Sequence, residues 1–207
     1  EEPTNEKLIN EKESYFWGNA FLIKPITKAG VTSTEVYFPK SNNWFDFYSG
    51  KKHAAGSTET VAVAETSIPT FVRGGSFVPM IETIQNTSKY SLDNFNLHFY
   101  FDDSVKTSTG KVYNDNGETP QAFEKGHFEI LNFNGNSNGK EVAIKLSTTV
   151  GKNYTATDKN VTVMVHNIKA KRIFINGQET VFKTTNETLS IPITWKKGTA
   201  PEIKIEY

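Results

Sequence analysis

The sequence predicts an all-β protein: two antiparallel β-sandwich domains packed in tandem, preceded by a short helical segment. Three observations carry that expectation. Aromatic residues make up 13% of the 207 residues, with 15 Phe, and Thr, Val, Asn and Gly are abundant, a balance that favours strands and turns. Period-two alternation recurs in short runs. In FNLHFYFD it places Phe95, Leu97, Phe99 and Phe101 on one face and Asn96, His98 and Tyr100 on the other. Glycine, proline and Asn-Gly signals punctuate these runs at the close spacing of an antiparallel sandwich.

Taken in order, residues 1–14 are polar and charged, with Leu8 and Ile9 their aliphatic members, and Pro3 followed by TNEKLINEKES predicts a short helix capped by Asn5 or Thr4. The aromatic cluster Tyr15, Phe16 and Trp17 follows, read as local core or as a face that packs on another domain. FLIKPI and TEVYFP alternate as strands on either side of Lys28-Ala29-Gly30, and GSTETVAVAE alternates again. In NNWFDFYSG the alternation sets Trp44 and Asp46 opposite Phe45 and Phe47. Surface aromatics of this kind stack sugar rings, so Trp44, Tyr48 and, further on, Trp195 are candidate carbohydrate contacts.

The stretch SIPTFVRGGSFVPM organises the chain: two apolar runs flank Gly74-Gly75, where positive φ is free of a Cβ clash, and Pro69 and Pro79 suit strand ends or edges rather than central strands. It is read as two short strands around a glycine turn, closing a first domain of residues 15–85. The second domain, residues 86–207, carries further alternating runs in EVAIKLS, VTVMVHN, RIFI, TLSIPI and EIKIEY. Asn176-Gly177 is the strongest hairpin signal, since a type I′ turn needs positive φ at both positions. Asn134-Gly135 and Asn138-Gly139 are read as punctuating one polar loop between strands.

Lys plus Arg equals Asp plus Glu at 23 each, so no charge imbalance steers the chain to nucleic acid or an anionic membrane. The absence of cysteine removes disulfides and thiolate metal sites. No apolar run approaches the roughly 18 residues of a membrane span. The chain begins with Glu rather than Met and shows no leader, so it is expected to be excised from a longer protein.

Few residues point to chemistry. Tyr113-Asn114-Asp115-Asn116-Gly117-Glu118 has the alternating oxygens of a calcium loop but no closing glutamate, and is read as a tight turn in which Asp115 bonds the backbone before Gly117. Asp102 and Asp103 are adjacent and point apart, unlike the opposed carboxyls of a glycosidase, and are read as solvated turn residues. His53, His98, His127 and His166 lack ligand spacing, so no metal and no cofactor is expected. Arg73, one of only two arginines, is expected to tie the glycine turn to nearby backbone or to a neighbouring domain.

WGNAFLIKPI, VYFPKSNNWFDFYSG, IPTFVRGGSFVP and KVYNDNGETP resemble, in order and spacing, segments of glycoside hydrolase family 31, the α-glucosidase and α-xylosidase family. Asn114 and Asn116 replace acidic positions of the family's last segment. The resemblance implies that residues 1–14 are a remnant of the last turn of an eight-stranded catalytic barrel, and that the two sandwiches are the proximal and distal C-terminal domains. It also implies that the catalytic carboxylates lie upstream, so the chain by itself is inactive while its bacterial parent hydrolyses α-linked glucosides or xylosides with retention. The implied partner is the barrel of the same polypeptide, faced by Tyr15, Phe16, Trp17 and Arg73, with homo-oligomeric contacts in some members and a soluble, periplasmic or secreted parent. A carbohydrate-binding module is the second reading.

Overall fold

The structure is a computed structural model and describes residues 1–185 and 187–207. It divides into two compact units, residues 1–76 and 77–207.

In the first unit, a single helical turn, α1 (Glu6–Ile9), starts at Asn5, whose Oδ1 accepts the Lys7 amide at 3.0 Å. Seven strands follow: β1 (Tyr15–Trp17), β2 (Phe21–Ile23), β3 (Ser33–Tyr37), β4 (Trp44–Asp46), β5 (Lys52–His53), β6 (Thr58–Ala62) and β7 (Thr70–Arg73). Five form an antiparallel sheet in the order β1-β2-β7-β4-β5, and β3 pairs with β6 as a separate ribbon. Leu22, Val36, Phe38, Trp44 and Phe71 fill the space between them. Aromatic and β-branched side chains suit such a half-buried pleated surface. The WFDF segment opens a hairpin, β4–β5, with Trp44 opposite His53.

The second unit contains β8 (Phe77–Met80), a 3-10 turn (Thr87–Lys89), β9 (Asn94–Tyr100), β10 (Thr107–Asp115), β11 (Phe128–Ser137) and β12 (Glu141–Val150). It continues with β13 (Lys159–His166), β14 (Arg172–Ile175), β15 (Gln178–Thr180), β16 (Lys183–Thr185), β17 (Thr188–Trp195) and β18 (Glu202–Glu206). Two sheets result, β10-β11-β12-β18-β14-β15 and β16-β17-β13-β9-β8. Their inner faces supply one apolar core, including Leu97, Phe99, Leu131, Phe133, Ile144, Val163 and Ile203. The predicted inner row of β9 is present, with Phe95, Leu97, Phe99 and Phe101 all buried, but Tyr100, expected on the wetter face, is buried as well at 2% exposure. One pair departs from the antiparallel expectation: β9 and β13 run parallel. The whole of β10–β12 lies between them in sequence, and a parallel pair needs such a long connection.

The strands flanking Gly74-Gly75 do not pair with each other. β7 joins β2 and β4 in the first unit, whereas β8 pairs with β9 in the second. Of the two glycines only Gly75 takes positive φ, at 82°, so the pair serves as a crossing between units rather than a hairpin. Phe77–Met80 therefore belongs to the second unit, although the sequence reading placed it in the first domain.

Gly135 is likewise no loop residue. It sits within β11 opposite Ser108, where a Cβ would come within 3.3–3.4 Å of Phe77, Ser108 and Phe99. The turn lies at Asn138-Gly139 alone, with Gly139 at φ 85°. The Asn176-Gly177 signal is realised in full: φ is 50° and 80°, and Ile175 pairs with Gln178.

Candidate functional site

Arg73 ends β7, the strand at the centre of the first sheet, and its guanidinium reaches across the sheet end. Nε donates to the Asn19 carbonyl at 2.9 Å, Nη1 to Ser41 Oγ at 2.6 Å, and the two Nη atoms grip the Glu1 carboxylate at 3.1 and 2.7 Å. Its face lies over the Trp44 ring at 4.7 Å and the Phe16 ring at 5.5 Å. The guanidinium fork holds the Glu1 carboxyl below the usual carboxylate range. Of the two roles expected for Arg73, the tie to local backbone is realised.

Further polar contacts fix the rest of residues 1–14. Glu2 accepts from the Lys40 amide at 2.7 Å and from the Tyr37 hydroxyl at 3.1–3.2 Å. Lys24, buried beneath the segment, reaches Glu13 at 3.1 Å and Glu11 at 3.4 Å. A cleft of about 340 Å³ remains, lined by Leu8, Ile9, Phe16, Leu22 and the two N-terminal glutamates.

Tyr15, Phe16 and Trp17 are 53%, 39% and 69% exposed on the edge strand β1, so they are surface rather than local core. Trp44 and Trp195, in contrast, are 0% and 2% exposed and cannot stack on a sugar. Trp44 Nε1 donates to the Pro39 carbonyl at 3.1 Å, and Trp195 Nε1 to the Thr199 carbonyl at 3.0 Å, so each indole is a satisfied core group. Of the three carbohydrate candidates only Tyr48 is exposed, its hydroxyl donating to the Ile68 carbonyl at 3.3 Å.

Of the 113–118 segment, Tyr113–Asp115 are the end of β10 rather than a turn, and the turn follows at Asn116-Gly117. Asp115 Oδ1 accepts the Gly117 amide at 2.7 Å, Asn116 Oδ1 accepts the amides of Glu118 and Thr119, and Gly117 has φ 68°. No cluster of three or more metal-ligating His, Asp or Glu occurs among the described residues. Asp102 is buried rather than solvated, accepting from the Ser104 amide and hydroxyl at 3.1 and 2.9 Å. Its neighbour Asp103 is exposed.

Two polar groupings go beyond the sequence, which places His98 and His166 in strands as half-buried, hydrogen-bonded side chains but does not bring them together. On β9 and β13, His98 Nδ1 lies 2.9 Å from His166 Nε2, and His166 Nδ1 lies 3.2 Å from Thr188 Oγ1 on β17. Burial, with the neighbouring His98 charge, pushes the His166 imidazole down to about 4, and burial lowers His98 as well. In the core, Lys159 Nζ meets Glu129 Oε1 at 2.7 Å, with 2% and 0% side-chain exposure. Asn114 donates to the same Glu129 oxygen at 2.9 Å and to the Tyr154 hydroxyl at 3.1 Å, and Tyr154 is pushed up to about 12 by burial and the Glu129 charge. A signal for this pair existed. Glu129 shares the parity of the buried Leu131 and Phe133, and Lys159 that of Val161, Val163 and Val165.

Comparison with known proteins agrees with the fold. The model of the glycosyl hydrolase family 31 C-terminal domain matches residues 1–78. The α-xylosidase of Saccharolobus solfataricus is 31% identical over 140 residues, which is 68% of this chain and 19% of that protein. Glucoamylase 1 of Candida albicans is 33% identical over 120 residues, covering 56% of this chain and 13% of that protein. A family 31 dextranase of Flavobacterium johnsoniae, solved with isomaltotriose, superposes over 100% of this chain and 28% of its own, with TM-score 0.85 and 19% identity. The Xanthomonas citri α-xylosidase gives TM-score 0.72 at 21% identity over 99% of this chain and 20% of its own. At such identities the structural likeness is one of fold. The chain spans about a fifth or less of the length of these curated relatives. No helix among the described residues is long and apolar enough to cross a membrane.

Proposed function

Since this chain is the C-terminal β-region of glycoside hydrolase family 31, we propose that it forms the accessory domains of an α-glycosidase whose catalytic barrel lies upstream in the same polypeptide. The parent would hydrolyse α-linked glucosides or xylosides, and the sandwiches would brace its barrel. The observation that carries this reading is the way residues 1–14 are held. Glu1, Glu2, Glu11 and Glu13 are each bonded to the first unit, by Arg73, Lys40 and Lys24, while Ile9 remains 62% exposed beside Phe16. A polypeptide arriving at Glu1 is thus clamped to the sheet with an apolar edge left over, as suits a junction with a further domain. Residues 1–14 then carry the chain from the barrel onto the first unit, and Ile9 with Phe16 is the apolar edge that meets the barrel.

The buried acids supply no hydrolytic pair. Glu129 is neutralised inside the core by Lys159, and Asp102 holds a turn. The test is rejoining. The 207-residue chain by itself should show no turnover of aryl α-glucosides or α-xylosides, and the upstream polypeptide should lose activity or solubility when this region is removed. Turnover by the isolated chain, or a fully active and stable upstream polypeptide without it, would overturn the reading.

A further inference from the structure

Successive side chains of a strand point to opposite faces, so Trp17 leaves β1 on the side away from Phe16. Phe16 stacks on the core residue Trp44 at 5.9 Å. Trp17 instead stacks on Phe21 at 5.7 Å, and Phe21 meets Phe47, which meets Tyr48, at 5.9 and 5.3 Å. This outer aromatic row borders a cleft of about 760 Å³ within the first unit, walled by Tyr15, Trp17, Tyr48 and Ile68 over a floor of Ile23 and Ile26. We propose that this cleft is a saccharide subsite that takes a short α-linked oligosaccharide, with Trp17 and Tyr48 as its stacking platforms.

Size, shape and chemistry agree on that ligand. Small-molecule clefts run from roughly 300 to 1,000 Å³ and combine an apolar lining with a few placed polar groups. One face of Trp17 is occupied by Phe21 while the side chain stays 69% exposed, which leaves the other ring face for the apolar C–H face of a pyranose. Tyr48 is 59% exposed, and its ring is held by the bond from its hydroxyl to the Ile68 carbonyl. The rim carries the hydroxyls of Thr32, Thr66 and Ser67, which can donate to and accept from sugar hydroxyls, and that of Thr70, which donates to the Ile68 carbonyl and is left as an acceptor. Its charged residues are one lysine, Lys28, and one glutamate, Glu65, so the cleft selects neither anion nor cation. A neutral, hydroxyl-rich ligand with one apolar face fits; a nucleotide or an acidic peptide does not. The choice of an α-linked sugar rests on the α-glycosidase reading above, whereas the cleft itself does not.

The tryptophans make the test direct. Trp44 and Trp195 are buried in the cores, so a ligand-induced fluorescence change reports on Trp17. Titrating the 207-residue chain with isomaltotriose and maltotriose should give a saturable change, and cellotriose a weaker one. Calorimetry should show affinity falling at least tenfold in Trp17→Ala and in Tyr48→Ala. Phe123→Ala, which removes a ring 56% exposed in the second unit, should bind as the parent does, and circular dichroism would confirm that all three variants fold. No saturable change up to tens of millimolar sugar, an unchanged affinity in both cleft variants, or loss of binding once the chain is joined to its upstream polypeptide would overturn the proposal. Binding and rejoined activity are separate measurements, so either reading can fail while the other stands.

Discussion

Replacing Lys159 with Met removes the ammonium that neutralises a carboxylate with no exposure to solvent. Lys159 Nζ stands 2.7 Å from Glu129 Oε1, and the Glu129 Oε2 atom has no hydrogen-bond partner among the described residues. Asn114 then remains as a donor to Glu129. Breaking a buried pair from one side costs about 3–5 kcal/mol, because the orphaned charge keeps its desolvation penalty. For a unit of this size each kcal/mol moves the melting temperature by roughly 3–5 °C, so the second unit should melt roughly 9–25 °C lower. The double variant Lys159→Met, Glu129→Gln removes the charge but keeps an acceptor for Asn114, and should recover to within about 2 kcal/mol of the parent. Urea unfolding followed by near-ultraviolet circular dichroism suits the measurement, since Lys159 pairs in register with the buried Trp195. A single variant within about 3 °C of the parent, or a double variant no better than the single, would refute the claim that the pair is held for charge neutrality.

The histidine chain predicts a pH dependence. His166 titrates at about 4 when folded and near its ordinary value when unfolded, so the unfolded state binds more protons between those values and stability falls as pH drops from about 6.5 toward 4. The urea midpoint of the second unit should fall across that window and flatten in His166→Gln; a profile identical in the variant would remove the histidine from the account. Arg73→Lys keeps the charge but loses the fork that grips Glu1 and Asn19, so trypsin should cut at Lys7 and Lys12 severalfold faster while the second unit melts unchanged; equal cutting rates would count against the clamp. Gly110→Ala would place a Cβ 2.8 Å from Phe77 Cβ, and overpacking of this kind costs about 1–3 kcal/mol, whereas Asn138→Ala in the neighbouring exposed turn should cost less. The two melting temperatures decide it.

Much of the fold was legible because it rests on local pattern. The buried row of β9 and the Asn176-Gly177 turn follow from the pleat and from positive φ alone. One cause of the departures is that glycine serves as a turn signal in the reading of Gly74-Gly75 and Gly135. At Gly135 and Gly110 the reason for glycine is the absence of room beside Phe77, contributed by β8, a strand distant in sequence. The Gly74-Gly75 pair looked like a hairpin because two apolar runs flank it, and nothing local says that the second run pairs with β9 instead. Trp44 was misjudged for a similar reason. Alternation sorts faces but does not say which are covered, and β4 lies inside its sheet, with Trp44 and Phe45 both buried.

The site follows the same division. The spacing of Arg73 and the glycines marked the right place, but its partners came from the chain terminus, 72 residues away. That separation carries a consequence for the first unit. Its sheet is short-stranded, and the end of β7 is closed by a carboxylate from the first residue, while the buried Lys24 is matched by carboxylates at Glu11 and Glu13. Without residues 1–14, Arg73 would lose its carboxylate and Lys24 both of its own, and an unmatched buried charge is far costlier than a lost surface contact. The polar N-terminal segment is therefore part of the first unit's structure, held to it through fixed charge pairs. A boundary drawn at the aromatic cluster, as the sequence alone suggests, would cut those pairs.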